Sequence, residues 1–164
     1  MENTTHKRPS WDEYFLKIMD AIGERGTCDR GRAGCIIVKD KKIIATGYAG
    51  APAGCKHCDE VGHEMHTVVQ EDGTQSKHCI RTAHAEQNAI VQAARFGMST
   101  EGATLYVKMT PCYACAKMII NAGIKKVLAA KDYHAGERTK DIFKEAGVEY
   151  TLINEEMVTY TNMK

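Results

Sequence analysis

Apolar residues recur along this chain with two different periods. Spacings of three and four positions predict a helix that begins after Ser10 and ends near Gly26. The same period predicts helices over 83–97, 111–123 and 138–146. Pro111 is well placed at the start of the third helix, since a helix start needs no amide from its first residue.

Short apolar runs between these helices predict strands. Five runs have this character: 34–39, 43–47, 105–109, 127–130 and 148–152. The first two are separated by Asp40-Lys41-Lys42 and are expected to form a hairpin. Strands and helices alternate in the second half, which argues for parallel pairing through crossovers. Residues 48–81 show no sustained period and are expected to be a long functional or tethered loop.

Length and charge limit the kind of protein this is. The 164 residues suit one domain over 1–164, with a core over about 11–152. Lys and Arg number 22 against 21 Asp and Glu, which favours a small substrate over a polynucleotide. No stretch resembles a membrane span, and the polar start, 1–10, does not resemble a secretory signal, so a cytoplasmic location is expected. The last dozen residues are polar and are expected to form a tail or contact arm.

One histidine and two cysteines have the spacing of a catalytic metal site. His84 opens one predicted helix, and Cys112 and Cys115 lie on the first turn of another. Residues three apart on a helix share a face, so both sulfur atoms can bind one ion. Three protein ligands leave the fourth tetrahedral position of zinc open for water, which is typical of catalytic zinc.

Glu86 completes this pattern because it lies two residues after His84. From there it can reach the reacting water without coordinating the metal, as a general acid and base. His-x-Glu followed by Pro-Cys-x-x-Cys is the pattern of zinc-dependent nucleobase deaminases. A structural zinc knuckle or a redox Cys-x-x-Cys pair is the alternative, but neither accounts for Glu86 or Pro111.

The chain resembles the cytidine deaminase superfamily and, within it, the deoxycytidylate (dCMP) deaminases. The resemblance covers about residues 11–152 and rests on these segments: Cys28, 33–38, 46–52, 78–90 and 110–117. It implies an α/β fold, a three-layer α/β/α sandwich with a mixed five-stranded sheet. It also implies hydrolysis of dCMP to dUMP and ammonia, and a homo-oligomer between a dimer and a hexamer.

The same resemblance implies substrate contacts. The family's Gly-Tyr-x-Gly segment normally has Asn at x, where it contacts the substrate sugar, but this chain has Ala49. This departure leaves open another cytosine nucleoside or nucleotide as substrate. Tyr133 is expected near the base or sugar. Arg32, with Arg30 and Lys108, is a candidate for the substrate phosphate.

A second, structural zinc site is also implied by the family. The expected ligands are Cys28, Cys58 and Cys79, with His78 or His57 as the fourth; the alternative is unpaired thiols at loop ends. Three further histidines have no clear partner and are expected on the surface: His63, His66 and His134.

Regulation is a further expectation from the family. Members can be activated by dCTP with Mg²⁺ and inhibited by dTTP, at a site near the glycine-rich segment. Gly50 and Gly54 are therefore candidate effector contacts, since their amides can hold phosphates. A non-catalytic, zinc-stabilised interaction module remains the alternative to an enzyme.

Overall fold

Strands and helices alternate along most of the backbone. The computed structural model describes residues 6–69 and 73–158. The strands in these ranges are β1 (Gly34–Lys39), β2 (Lys42–Tyr48), β3 (Met65–Val69), β4 (Gln75–Cys79), β5 (Thr104–Met109), β6 (Lys126–Tyr133) and β7 (Glu149–Val158). The helices are α1 (Trp11–Gly23), α2 (Cys58–Val61), α3 (Ala85–Arg95), α4 (Tyr113–Asn121) and α5 (Glu137–Glu145).

A mixed sheet lies at the centre of the described structure. Its five strands have the order β2-β1-β5-β6-β7. β1 is antiparallel to both β2 and β5, whereas β5, β6 and β7 are parallel to one another. The predicted hairpin, the parallel second half and the mixed five-stranded sheet are all confirmed.

The helices cover the two faces of this sheet. Alternate residues of a strand point to opposite faces, and β1 shows this directly, since Ile36 packs with Phe15 and Met19 of α1. Its neighbour Ile37 packs in the other cluster, with residues of α3, α4 and α5. The result is the predicted three-layer α/β/α sandwich. In the described ranges, none of the helices has both the length and the apolar character to cross a membrane.

Two glycines let helices approach the sheet closely. A Cβ atom at Gly34 would lie 2.0 Å from the Met19 carbonyl oxygen of α1. A Cβ atom at Gly47 would lie 2.2 Å from the Ala85 carbonyl oxygen, at the first turn of α3. Because neither contact tolerates a side chain, these glycines set the distance of α1 and α3 from the strands, and α3 carries Glu86.

The segment over 48–81 contains more structure than its sequence predicts. It holds the short helix α2 and an antiparallel hairpin of β3 and β4, in which Met65 is opposite Cys79. The expected tail is also partly structured, since β7 continues to Val158 beside Tyr133. The rest of that tail, 159–164, and residues 1–5 of the polar start lie outside the described residues.

Candidate active site

His84, Cys112 and Cys115 converge where α3 and α4 begin. His84 is the N-terminal cap of α3, and Cys112 is the cap of α4. The Nδ1 atom of His84 lies 3.5 Å from Cys112 Sγ and 3.4 Å from Cys115 Sγ. A tetrahedral zinc separates a sulfur ligand from a nitrogen ligand by about 3.6 Å. The three side chains therefore fit one zinc ion and leave one coordination position for another ligand.

Hydrogen bonds within this group shift the pKa values of Cys112 and His84 in opposite directions. Hydrogen bonds from Cys115 and His84 lower the pKa of Cys112 to about 4. The hydrogen bond with Cys112 raises the pKa of His84 to about 9. Without metal the site therefore holds a thiolate beside an imidazolium, and binding of a cation releases the histidine proton.

Glu86 lies on the first turn of α3, one residue after Ala85, and its side chain is 7 % exposed. Burial raises its pKa, although the charge of His84 acts in the opposite direction. A carboxyl group with a raised pKa both accepts and donates a proton near neutral pH. Its position beside the metal-ligating side chains matches the role of proton carrier.

His84, Glu86 and Cys112 line one cavity of about 180 Å³. That volume is more than ten times the space one water molecule needs, so the cavity admits an organic ligand. Its lining residues come from several separate segments of the chain: Cys28, Arg30, Gly31, Ala33, Ala49, His78, Cys79, Thr82, His84, Ala85, Glu86, Val107, Met109, Thr110, Cys112 and Tyr133. Glu86 is the one carboxylate among the described lining residues.

Three of the five predicted substrate-contact positions line the cavity: Arg30, Ala49 and Tyr133. Arg32 lies outside the lining, because its guanidinium is paired with Asp59 at 3.3 Å and also donates to the Gly26 carbonyl. Lys108 likewise lies outside, and it donates to the Arg32 carbonyl at 3.0 Å. Both cations are used to connect loops of the fold.

The two glycines predicted to contact an effector also lie outside the cavity. Gly50 is buried and exchanges backbone hydrogen bonds with Ala83, at 3.2 and 2.9 Å. This bridge places Ala49 close to His84. Gly54 is exposed and has a φ angle of 84°, which is typical of glycine in a turn.

A second group of potential ligands consists of Cys28, Cys58, His63 and Cys79, whose ligand atoms lie within 4.8 Å of one another. Cys58 Sγ is 3.5 Å from Cys79 Sγ, and Cys28 Sγ is 3.6 Å from His63 Nδ1. Tetrahedral zinc predicts about 3.8 and 3.6 Å for such pairs. Four ligands with this spacing fit a closed metal site.

The fourth member of this group differs from the prediction. Cys79 and His78 are neighbours on β4, so their side chains point to opposite faces of the strand. Cys79 belongs to the ligand group. His78 does not, and its Nε2 atom lies 2.9 Å from Ser76 Oγ in the cavity lining. His57 is also not in the group. The expectation that His63 is a surface residue without a partner is wrong.

Several residues that the sequence did not single out support the cavity wall. Asp132 accepts hydrogen bonds from the Thr110 hydroxyl at 2.7 Å, the Tyr133 amide at 2.8 Å and the Lys140 ammonium at 2.9 Å. The buried Thr139 hydroxyl donates to the Pro111 carbonyl at 2.8 Å, directly before Cys112. The sequence offers one indication of this role, because Asp132 directly precedes Tyr133, a predicted substrate contact.

Comparison with known proteins agrees with this site. Residues 9–131 match the sequence profile described as "Cytidine and deoxycytidylate deaminase zinc-binding region", and the chain belongs to this family. It is 43 % identical over 142 residues to ComE operon protein 2 of Bacillus subtilis (strain 168), covering 87 % of this chain and 70 % of that protein. It is 40 % identical over 127 residues to the deoxycytidylate deaminase of Mycobacterium phage D29, covering 76 % and 98 %.

A solved structure shares the fold. The dCMP deaminase from the cyanophage S-TIM5, in complex with dCMP and dUMP, superposes with a TM-score of 0.71 at 32 % identity. The match covers 90 % of this chain and 99 % of that one. The similarity therefore includes the central sheet together with the helices that carry the site.

Proposed function

We propose that this protein is a zinc-dependent hydrolase that converts dCMP and water to dUMP and ammonia. The observation that carries the proposal is the cluster of His84, Cys112 and Cys115 with Glu86 buried in the same cavity. Relatives named deoxycytidylate deaminase, from Mycobacterium phage D29 to Homo sapiens, support dCMP as the substrate.

Hydrolysis requires that protons move between water and the base. His84, Cys112 and Cys115 would hold zinc, which when bound would supply the Lewis acidity that makes water nucleophilic near neutral pH. Glu86 takes a proton from the attacking water and delivers it to the ring nitrogen next to C4 of cytosine. As the C4–N bond to the amine breaks, Glu86 carries the second proton to the leaving group, and ammonia departs.

The closed group of Cys28, Cys58, His63 and Cys79 is proposed to hold a second, structural zinc. Its four ligands come from the loop after α1, from α2, from the loop after α2 and from β4. A metal there would connect segments with little buried apolar surface, since β3 is largely exposed and no residue of β4 is more than half-buried. The Nε2 atom of His63 meets Asp29 at 3.0 Å, which fixes the orientation of the ring.

Ammonia release measured across dCMP, CMP, dCTP, deoxycytidine and cytosine tests the proposal. The expected result is the highest kcat/KM with dCMP. Ala49 makes this comparison informative, because its methyl group offers no hydrogen bond to a sugar hydroxyl. A clear preference for another compound in the panel would contradict dCMP as the substrate but would still agree with zinc-dependent hydrolysis.

The proposal includes a homo-oligomer, a cytoplasmic location and regulation. Apolar side chains at the end of α3 support assembly: Val91, Phe96 and Met98 are 57, 70 and 43 % exposed. All seven cysteines lie in the described ranges and are free, as a reducing compartment requires. Mass measurement in solution tests assembly, and assays with dCTP plus Mg²⁺ and with dTTP test regulation at Gly50 and Gly54.

A further inference from the structure

The start of α5 lies directly against the loop between β5 and α4. This loop, residues 110–112, ends with Cys112, which caps α4 and belongs to the metal-ligating group of the candidate active site. The N-terminal cap of α5 is Gly136, where a Cβ atom would lie 2.9 Å from Thr110 Cγ2 and 3.0 Å from the Tyr133 carbonyl oxygen. Because these distances leave little room for a side chain, Gly136 lets α5 approach the loop closely.

Thr139 connects the first turn of α5 to the backbone of this loop. Its side chain is fully buried, and its hydroxyl donates to the Pro111 carbonyl at 2.8 Å. That carbonyl belongs to the planar peptide bond that leads into Cys112. The ring of Pro111 already restricts the φ angle of this residue. The hydrogen bond from Thr139 restricts the remaining rotation, the ψ angle of Pro111, and therefore the orientation in which the chain enters Cys112.

Arg138 contacts the residue on the other side of Cys112. Its guanidinium carbon lies 3.8 Å from the centre of the Tyr113 ring, and a cation over an aromatic face is attracted to it. The ammonium of Lys117, one turn later on α4, lies 5.0 Å from the same ring. Because Tyr113 is the first residue of α4, these contacts hold the start of that helix against α5.

Lys140 provides a third connection, through Asp132. Its ammonium donates to the Asp132 carboxylate at 2.9 Å, and the same carboxylate accepts from the hydroxyl of buried Thr110 at 2.7 Å. The amide of Thr110 also donates to the Lys131 carbonyl at 3.0 Å. Three consecutive residues of α5, 138–140, therefore hold the residues that flank Cys112.

We propose that Thr139 is a positioning residue, which through the Pro111 carbonyl sets the place of Cys112 relative to the residues of α3. The inference rests on the proposed function. His84 and Glu86 belong to the start of α3, whereas Cys112 belongs to the start of α4. A displaced Cys112 would weaken the metal-ligating group and change its distance from Glu86. Displacements of about 1 Å can slow an enzymatic reaction by about 10²-fold.

Thr139→Val tests this role, because valine has a similar volume but lacks the hydroxyl that donates to Pro111. In competition with a chelator, the group that contains Cys112 is expected to bind Zn²⁺ about 10-fold more weakly than in the wild type. In the fully zinc-loaded protein, kcat on dCMP should fall about 10-fold while KM stays within about twofold, since the cavity wall that binds the substrate is unchanged. Thr139→Ser keeps the hydroxyl and should restore both the zinc affinity and kcat.

The protein loaded with Co²⁺ gives a second readout that does not depend on activity. The visible absorption of Co²⁺ bound by thiolate and imidazole groups depends on the geometry of those groups. Subtracting the spectrum of Cys112→Ala, which keeps the second group of ligands, isolates the absorption at the candidate active site. Thr139→Val should shift the bands that remain, and Thr139→Ser should not.

Thr100→Val is the matched control. The Thr100 hydroxyl donates to the Ala122 carbonyl at 2.6 Å, so this substitution removes the same kind of hydrogen bond at the opposite end of α4. Both variants should lower the Tm, because each leaves a carbonyl without this donor. Only Thr139→Val should change the zinc affinity, kcat and the Co²⁺ spectrum. If Thr139→Val does not fold, Thr139→Ala replaces it with the same expected results, since alanine also lacks the hydroxyl and is smaller.

The inference is overturned if Thr139→Val lowers only the Tm, as Thr100→Val does, or if Thr139→Ser is as impaired as Thr139→Val. A zinc-loaded wild-type protein that deaminates no compound of the panel instead contradicts the proposed function. In that case the zinc affinity still decides the inference, because a weaker affinity in Thr139→Val supports the positioning role and an unchanged affinity contradicts it.

Discussion

His63 Nδ1 lies 3.6 Å from Cys28 Sγ, although 35 positions separate the two residues along the chain. The other ring nitrogen meets Asp29 at 3.0 Å, so the ring is held between a potential metal site and a carboxylate. Such a carboxylate commonly orients a metal-ligating histidine. This contact assigns the fourth position of the second group to His63.

Replacing His63 by alanine should remove one of two zinc ions. Wild-type protein is expected to contain about two zinc ions per chain, and His63→Ala about one. The variant should also lower the Tm by at least about 5 °C, since each kcal/mol is worth roughly 2–4 °C in a chain of this size. Metal analysis and thermal unfolding measure both effects. His66→Ala is the control on the same hairpin, and a wild-type content of one zinc would remove the second site.

Glu86→Gln should separate chemistry from metal binding. The amide has nearly the shape of the carboxyl group but cannot carry a proton, so kcat on dCMP should fall by about 10²–10⁴-fold or more. Zinc content and Tm should change little, because Glu86 does not belong to the metal-ligating group, which consists of His84, Cys112 and Cys115. A Glu86→Gln protein that is as active as the wild type would contradict the assigned role of Glu86, whereas a zinc-loaded wild-type protein that deaminates no compound of the panel would favour the non-catalytic alternative.

The sequence predicts most of the fold and the centre of the site for physical reasons. Helices of the sandwich bury one face, so their apolar residues recur with a regular period in the sequence. His84 and Cys112 are recognisable because each stands at a helix start and belongs to a short motif of fixed spacing. β4 was missed because Gln75–Cys79 has no apolar alternation. His63 was missed because its partner, Cys28, is distant along the chain, and only the fold brings the two together.

Asp132 should stabilise the wall of the cavity in a pH-dependent way. Burial opposes its ionisation, but hydrogen bonds from Thr110, Lys140 and the Tyr133 amide outweigh this and lower its pKa. Asp132→Asn should therefore reduce the free energy of unfolding by about 2 kcal/mol at pH 7. A depressed pKa contributes stability above the unfolded value of about 3.9. The difference should stay constant from about pH 8 to 5 and shrink as the pH falls through the native pKa.

Urea unfolding of both proteins across this pH range measures the effect. Glu137→Gln is a matched control, because Glu137 contacts the same ammonium of Lys140 at 2.7 Å but its side chain is 85 % exposed. Exposed pairs contribute at most about 1 kcal/mol. An Asp132→Asn effect no larger than that of the control would show that the buried hydrogen bonds do not determine this wall.

Gly47→Ala should move α3 and the residues it carries. The new methyl carbon would lie 2.2 Å from the Ala85 carbonyl oxygen and 2.5 Å from the Ala89 amide nitrogen, and neither backbone atom can yield without shifting the helix. We expect a loss of about 3 kcal/mol or more and a reduced kcat, since Glu86 moves with α3. Lys42→Ala, at the exposed start of the same strand, is the control. Unchanged thermal unfolding would contradict this packing.

Ala49→Asn should test which sugar the cavity fits. Ala49 lines the cavity, and the backbone bridge between Gly50 and Ala83 holds it beside His84. If the substrate is dCMP, an amide at this position adds one hydrogen bond to the sugar, and KM should fall about tenfold while kcat changes little. Ala49→Leu has similar bulk without a donor and should raise KM by crowding the ligand. If both variants raise KM to the same extent, the cavity fits a substrate whose sugar edge requires the small side chain, and the substrate panel then identifies it.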